Sequence, residues 1–98
     1  MKKLQKEFKG RASQKGFDFI QMEREDYKAL YMKCDEYCNF YYEAIIVRVQ
    51  PETKIGGNII PESEKYPSDN EFGTYGICTS DYNKAKLHYD NITYTPNE

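Results

Sequence analysis

One stretch constrains the fold more than any other: residues 40–49 read Phe-Tyr-Tyr-Glu-Ala-Ile-Ile-Val-Arg-Val and hold neither Gly nor Pro. β-Branched residues are stiff at χ1 and aromatic residues pack well on a pleated surface, so this run favours a strand over a helix. A strand of about ten residues spans about 33 Å. In a chain of 98 residues, we expect so long a strand in the middle of the sheet, ending at Pro51.

Strand alternation divides this run into two faces. We expect the first face to belong to the core and to meet a helix, because it is the more apolar near its C-terminal end; it carries Tyr41, Glu43, Ile45, Val47 and Val49. We expect the second face to be only partly covered; it carries Tyr42, Ala44, Ile46, Arg48 and Gln50.

Four further segments complete the predicted fold. Residues 17–22, 27–34 and 72–79 have the composition of strands. Asp81 is a good N-cap, and the apolar residues after it recur at helical spacing, at Tyr82, Ala85, Tyr89 and Ile92. The sequence therefore predicts an α+β domain of order ββββα, with a four-stranded, mainly antiparallel sheet and one C-terminal helix, at about residues 81–91, packed on one face.

Residues 51–71 form the longest stretch without periodicity, and Gly, Pro, Asn and Ser punctuate it. A long loop inside a compact domain often carries function. Because Ile59 and Ile60 are apolar, the stretch is alternatively a long hairpin whose tip pairs back on itself. The sequence alone leaves both interpretations open.

Charge is divided unevenly along the chain. Residues 1–16 hold six Lys or Arg and one Glu, a balance of +5, whereas residues 17–98 hold eight Lys or Arg and fifteen Asp or Glu, a balance of −7. Residues 1–16 are therefore predicted as a basic, mobile N-terminal arm. Residues 17–98 are predicted as a single α+β domain, because a chain of 98 residues has the length of one domain.

Composition indicates the cellular compartment of the protein. No apolar run approaches the roughly 18–20 residues that a membrane span needs, and no hydrophobic signal-peptide core follows the basic N-terminus. The three Cys are an odd number, which favours reduced thiols. We therefore expect a cytoplasmic protein that does not contact a membrane.

No motif for catalysis or for a cofactor stands out. By count, a structural Zn²⁺ could take Cys34, Cys38, Cys78 and His88. Two of these would come singly from a strand and a helix, so we expect no metal site. A Cys78–His88 nucleophile pair has no supporting motif, and there is no Gly-rich phosphate-binding pattern. The chain is therefore expected to be non-enzymatic and to need no cofactor.

Several short motifs follow one another along the chain: Gly16-Phe17, Leu30-Tyr31, Tyr42-Glu43, Tyr66-Pro67-Ser68, Phe72-Gly73 and the helix with Tyr82, Ala85 and Tyr89. This series resembles a group of small uncharacterised proteins of tailed bacteriophages and of mobile elements in gut bacteria. The resemblance implies a small accessory protein that acts on a host or phage component. It also implies that the cytoplasm is that of a bacterial host.

The predicted function is binding of a macromolecular partner, in first place a protein, and the resemblance implies one specific form, inhibition of a host defence system. Because Tyr and Arg are enriched at interface hot spots, the predicted partner-binding residues are Tyr27, Tyr31, Tyr42, Arg48 and Tyr75. The alternative is a nucleic-acid-binding module that stacks bases on an aromatic sheet face and contacts phosphates through Lys2, Lys3, Lys6, Lys9, Arg11 and Lys15. Self-association through a sheet edge or a Tyr patch is a third interpretation.

Overall fold

The computed structural model describes residues 2–93, which form nine β-strands, two short 3₁₀ turns and one α-helix. The strands are β1 (Glu7–Lys9), β2 (Asp18–Glu25), β3 (Lys28–Cys34), β4 (Phe40–Ile46), β5 (Arg48–Gln50), β6 (Thr53–Ile55), β7 (Asn58–Ile60), β8 (Ser63–Lys65) and β9 (Gly76–Thr79). The 3₁₀ turns are Ala12–Gln14 and Asp69–Glu71, and the helix is α1 (Tyr82–Asp90). Residues 94–98 of the predicted domain lie outside the described part. Within residues 2–93, no helix is long and apolar enough to cross a bilayer.

Five strands form one antiparallel sheet in the order β1-β2-β3-β4-β9. The α+β class, the antiparallel sheet and the C-terminal helix are confirmed, but the predicted number of four strands is wrong. The additional strand is β1, which comes from the segment predicted as an arm and places Phe8 opposite Phe19 of β2. Three residues with one apolar side chain between two charged ones are too few to show alternation.

The run at residues 40–49 forms β4 and most of β5, with a break at Val47. β4 lies between β3 and β9, so it is an interior strand, while β3 occupies the middle of the sheet. The break coincides with a hydrogen bond from the Val47 N–H to the carbonyl oxygen of Tyr27 (2.6 Å), in the turn before β3. β5 then leaves the main sheet and pairs with β8.

Most of the stretch at residues 51–71 is a long hairpin. β5 pairs with β8 and β6 pairs with β7, and the tip is formed by Gly56 and Gly57, whose φ angles are +56° and +86°. Of the two interpretations of this stretch, the hairpin is confirmed: Ile59 lies opposite Lys54. Ile55 and Ile59 are exposed at the tip, so the hairpin adds little to the main core.

The sheet carries one apolar cluster on each face. On the side of the helix, Ala85 and Tyr89 of α1 pack on Leu30 and Ala44. The buried residues on the side away from the helix are Phe19, Ala29, Tyr31, Ile45 and Val47. This side is covered by the N-terminal segment and by the chain after β8, through Leu4, Phe8, Tyr66 and Phe72.

Ile45 and Val47 are core residues as predicted, but the prediction that their face meets the helix is wrong. α1 packs on the opposite face, beside Ala44, and Val49 is exposed on β5. The physical reason is side-chain size. Ala44 and Ala85 let the helix approach the sheet closely, whereas the large side chains of the other face are buried by aromatic rings from two extended segments.

β9 begins at Gly76, later than the predicted start at residue 72. Before it, the chain makes the 3₁₀ turn and then a tight turn in which Gly73 has a φ of +100°. Gly76 leaves room for the Ile45 side chain and the Phe72 ring to pack closely against β9. A Cβ at this position would lie 3.1 Å from Cγ2 of Ile45 and 3.1 Å from the Phe72 ring.

Candidate functional site

The helix is too short to cover its face of the sheet. Its bounds agree with the predicted residues 81–91 to within one residue, and the Asp81 carboxylate caps it by accepting a hydrogen bond from the Asn83 N–H (2.9 Å). The nine residues of α1 span about 14 Å. The seven residues of β4 span about 23 Å. The end of the sheet that begins at Phe40 therefore extends beyond the helix.

Beyond the helix, four apolar side chains share one face of the sheet. Pairing places Ile20 opposite Met32, and Met32 opposite Tyr42, while Phe40 lies one row further along, opposite Cys34. Ile20 and Phe40 are 40% and 48% exposed, and the other two are partly exposed. We call the set Ile20, Met32, Phe40 and Tyr42 the open face.

Tyr82 of α1 forms the border of the open face. Its ring meets the Tyr42 ring edge-on, with centroids 5.4 Å apart. Aromatic pairs of this geometry add about 0.5–1.5 kcal/mol to the stabilisation from burial. The helix therefore holds Tyr42 in a defined orientation beside the open face.

Carboxylates border the open face. Cross-strand pairs share a face, so the open face is flanked by Glu7, which lies opposite Ile20, and by Asp18, which lies opposite Cys34. Three more carboxylates stand at the ends of the adjoining elements. We call the whole set the acidic rim; it consists of Glu7, Asp18, Asp35, Glu36 and Asp81. Lys9 balances one of these charges, because its Nζ lies 3.2 Å from Asp18.

Asp35 is a fixed negative charge of the acidic rim. Its carboxylate accepts hydrogen bonds from the N–H groups of Tyr37 and Asn39, both at 2.9 Å, and from the Asn39 side chain at 2.9 Å. These bonds, that of the Asn39 side chain first, lower the pKa of Asp35. The carboxylate is therefore ionised at neutral pH and is held in place by its own turn.

Among the predicted partner-binding residues, Tyr42 alone belongs to the open face. Tyr31 lies on the opposite face and is fully buried. Its hydroxyl donates to the Gln5 carbonyl oxygen (2.8 Å) and accepts from the Gln21 side chain (3.0 Å). The prediction of Tyr31 as a contact residue is therefore wrong, because the N-terminal segment covers this part of β3.

The other three predicted residues gather at the far end of β4. The guanidinium carbon of Arg48 lies 3.8 Å from the centroid of the Tyr75 ring, and Arg48 pairs with the Glu71 carboxylate. Tyr27 is close by, since its carbonyl oxygen accepts the hydrogen bond from Val47. Arg48 therefore fastens β5 to the turn before β9, which is a structural role.

Ile20, Met32 and Phe40 were missed as contact residues in the sequence. Ile20 and Met32 adjoin buried residues, and Phe40 begins its strand, so none of the three stands out from an ordinary half-buried strand. The available signal was the length of the predicted helix, which is too short to cover strands of seven or eight residues.

The six basic residues of the N-terminal segment do not act as one group. Lys3 lies 3.6 Å from Glu64, and Lys9 pairs with Asp18. The backbone of Lys2 bridges to Ser63. Lys6, Arg11 and Lys15 make no ion pair within residues 2–93. The aromatic stacking surface of the nucleic-acid alternative is also divided, because Tyr31 and Tyr42 lie on opposite faces.

No group of three His, Cys, Asp or Glu side chains in the described part of the chain is arranged to hold a metal ion. Desolvation, followed by the neighbouring Cys38, raises the pKa of Cys34. A thiol with a raised pKa is a poor nucleophile at neutral pH.

Comparison with protein families, with curated proteins and with solved structures finds no match to this chain.

Proposed function

We propose that this protein is a non-enzymatic accessory protein that binds another protein through the open face. The observation that carries the proposal is an exposed apolar centre, left uncovered by a short helix and bordered by carboxylates, of which Asp35 is held in place by its own turn. Apolar and aromatic residues at the centre with polar residues at the rim are typical of protein interfaces. The partner is therefore a protein that presents an apolar side chain among basic residues.

Charge favours a protein over a nucleic acid at this surface. The acidic rim would repel phosphate groups, whereas it would steer a basic protein surface towards the open face. The aliphatic side chains of Ile20 and Met32 also suit an apolar protein side chain better than a stacked base. A nucleic acid remains a distinguishable outcome of the experiment below.

The resemblance to proteins of tailed phages and mobile elements supports a partner of the bacterial host. The specific form that we propose is binding of a protein of a host defence system, inside the host cytoplasm. This form rests on the resemblance, while the open face supports only the more general proposal of a protein partner.

Site-specific cross-linking tests the proposal. The photoreactive amino acid p-benzoylphenylalanine replaces Phe40 in one variant, and in the control it replaces Leu87, which is 65% exposed on the helix. Both variants are irradiated in lysate of a bacterial host, and the products are identified by mass spectrometry. We expect one defined protein to be cross-linked from position 40 and not from position 87, with a yield that falls as salt is added.

Three other outcomes would contradict the proposal. Equal products from the two positions would mean that the open face is not selective. Cross-linking to a second copy of this chain would indicate self-association. Cross-linked products that disappear after nuclease treatment would favour the nucleic-acid alternative.

A further inference from the structure

A cleft of about 480 Å³ lies on the side of the sheet away from the helix. Its floor is formed by the buried side chains of Phe19 and Glu43. Its walls are the partly buried rings of Phe8, Tyr66 and Phe72. The volume falls within the roughly 300–1,000 Å³ of sites that hold small molecules.

A network of charged and polar side chains lies at the floor of the cleft. The Glu43 carboxylate lies 2.8 Å from Nζ of Lys33 and accepts a hydrogen bond from the Tyr66 hydroxyl (2.6 Å). Lys33 also donates to the Gln14 side chain (2.7 Å). Burial, followed by the neighbouring Glu43, raises the pKa of Tyr66 well above its usual value, so its hydroxyl remains a donor.

The network leaves part of the Glu43 carboxylate free to accept further hydrogen bonds. A carboxylate has about four lone-pair positions. Tyr66 uses one on Oε1 and Lys33 one on Oε2, and the Cys78 thiol lies beside the same carboxylate. The remaining acceptor positions of Glu43 are those of a carboxylate that lines the cleft between aromatic rings. A ligand with two adjacent N–H donors could reach both oxygens in a fork.

The mouth of the cleft carries a different chemistry. The exposed Arg11 lines it and makes no ion pair within residues 2–93, whereas the Lys9 side chain pairs with Asp18. Beside Arg11, Gly10 lets the Gln14 backbone approach closely, because a Cβ on Gly10 would collide with the Gln14 carbonyl oxygen. The mouth therefore offers a guanidinium group that can bind an anion.

A pair of side-chain contacts bridges the cleft. Ser13 donates a hydrogen bond to Asp69, and the Gln14 amide nitrogen lies 3.5 Å from the same carboxylate. On the other side of this bridge, a second cavity of about 460 Å³ shares Glu43 and Phe72 with the first. A ligand in the cleft can therefore reach Glu43 while the bridge holds the two walls together.

We propose that this cleft binds a planar nitrogen heterocycle with two adjacent N–H donors and an anionic tail, of which a guanine nucleotide is a simple example. The aromatic walls accept a flat ring. Glu43 accepts the paired N–H donors, and Arg11 binds the phosphate group. This site is independent of the open face, which lies on the other side of the sheet.

Titration with guanosine 5′-monophosphate, followed by ¹H–¹⁵N NMR, tests the site in the full chain. We expect saturable shifts of resonances that line the cleft, such as that of Gly10, and none on the open face. Adenosine 5′-monophosphate should bind at least about tenfold more weakly, because adenine offers no second N–H beside its amino group and loses about one charge-assisted hydrogen bond.

Two surface variants test the role of Arg11 without changing the buried Glu43, because Glu43→Gln can itself disturb folding. Arg11→Gln should weaken the binding of guanosine 5′-monophosphate about tenfold, the value of one charge-assisted hydrogen bond, and leave the binding of guanosine unchanged. Lys15→Gln, a neighbouring exposed residue that does not line the cleft, is the matched control and should have no effect.

The proposal is overturned by any of three results. One is the absence of shifts at millimolar guanosine 5′-monophosphate. Another is equal affinity for the guanine and adenine nucleotides, because Glu43 would then not recognise the base. The third is an equal effect of Arg11→Gln and Lys15→Gln, since binding would then depend on general surface charge.

Discussion

Replacing Lys33 by Met tests how the buried floor of the cleft is stabilised. Lys33 and Glu43 have side chains that are 9% and 5% exposed, with 2.8 Å between Nζ and the carboxylate oxygen. Met keeps most of the apolar stem and removes the charge, so Glu43 stays buried with the Tyr66 hydroxyl as its remaining partner in this network. Breaking a buried ion pair in this way costs about 3–5 kcal/mol. The whole free energy of unfolding of a domain of this length is about 5–15 kcal/mol.

The double variant Lys33→Met/Glu43→Leu separates the ion pair from the packing around it. It leaves no buried charge without a partner, and its main cost is the lost acceptor of the Tyr66 hydroxyl, about 1–3 kcal/mol. Burial of the new Leu side chain offsets this by a similar amount, about 1.5–3 kcal/mol. We therefore expect the double variant to lie within about 2 kcal/mol of the original chain, and above either single variant.

Urea unfolding followed by far-UV circular dichroism measures all four free energies of unfolding at pH 7. Equal m-values would show that the same surface is exposed in each variant. The reasoning would be refuted if the costs of Lys33→Met and Glu43→Leu simply added, with a coupling below about 0.5 kcal/mol. A cost of Lys33→Met below about 1 kcal/mol, the value of an exposed pair, would also contradict the burial of this pair.

Three further predictions concern stability. Ile45→Ala removes most of a fully buried side chain and should cost about 2–5 kcal/mol; an unchanged Tm would show that Ile45 is not in the core. Tyr89→Phe should leave the free energy of unfolding unchanged or slightly raised, because the buried Tyr89 hydroxyl has no hydrogen-bond partner within residues 2–93; a loss of more than about 1 kcal/mol in urea unfolding would reveal such a partner. The Ser68 N–H, followed by Arg48, lowers the pKa of Glu71 to about 2 from an ordinary value of 4.5. The ionised Glu71 carboxylate therefore contributes fully to stability above about pH 5, and this contribution is lost as the pH falls towards 2. Glu71→Gln should reduce the slope of Tm against pH in this window. Identical slopes for the two proteins would argue against the Glu71 contacts.

The elements that could be predicted are those whose pattern extends over several residues. β3 and β4 are runs of seven residues without Gly or Pro, and α1 combines an N-cap with an apolar stripe, so the existence of these elements follows from local physics. The break at Val47, which ends β4, does not. The face on which the helix packs does not follow in the same way. Both faces of the long run are mixed, and the outcome depends on the small size of Ala44 and Ala85, which meet only after folding.

The cleft and the open face depend on contacts between distant parts of the chain. Lys33 and Glu43 are charged, and charged side chains are rarely fully buried unless they are paired. They come together because Lys33 lies opposite Tyr41 and Glu43 opposite Tyr31, which makes the two charged side chains diagonal neighbours on one face. No pattern within the sequence shows that Phe8, from a strand of three residues, packs on Phe19 and Tyr31 beside them.

The most direct test of the open face uses the partner, which is the protein that cross-links from position 40. Titration calorimetry measures the affinity of this partner for the variant Phe40→Ala and for the original chain. If Phe40 is a central contact, the substitution should weaken binding by at least about thirtyfold, the value of a hot-spot residue. Leu87→Ala, on the outward side of the helix, should leave the affinity unchanged. Equal affinities of Phe40→Ala and of the original chain would contradict the proposal that this face binds the partner.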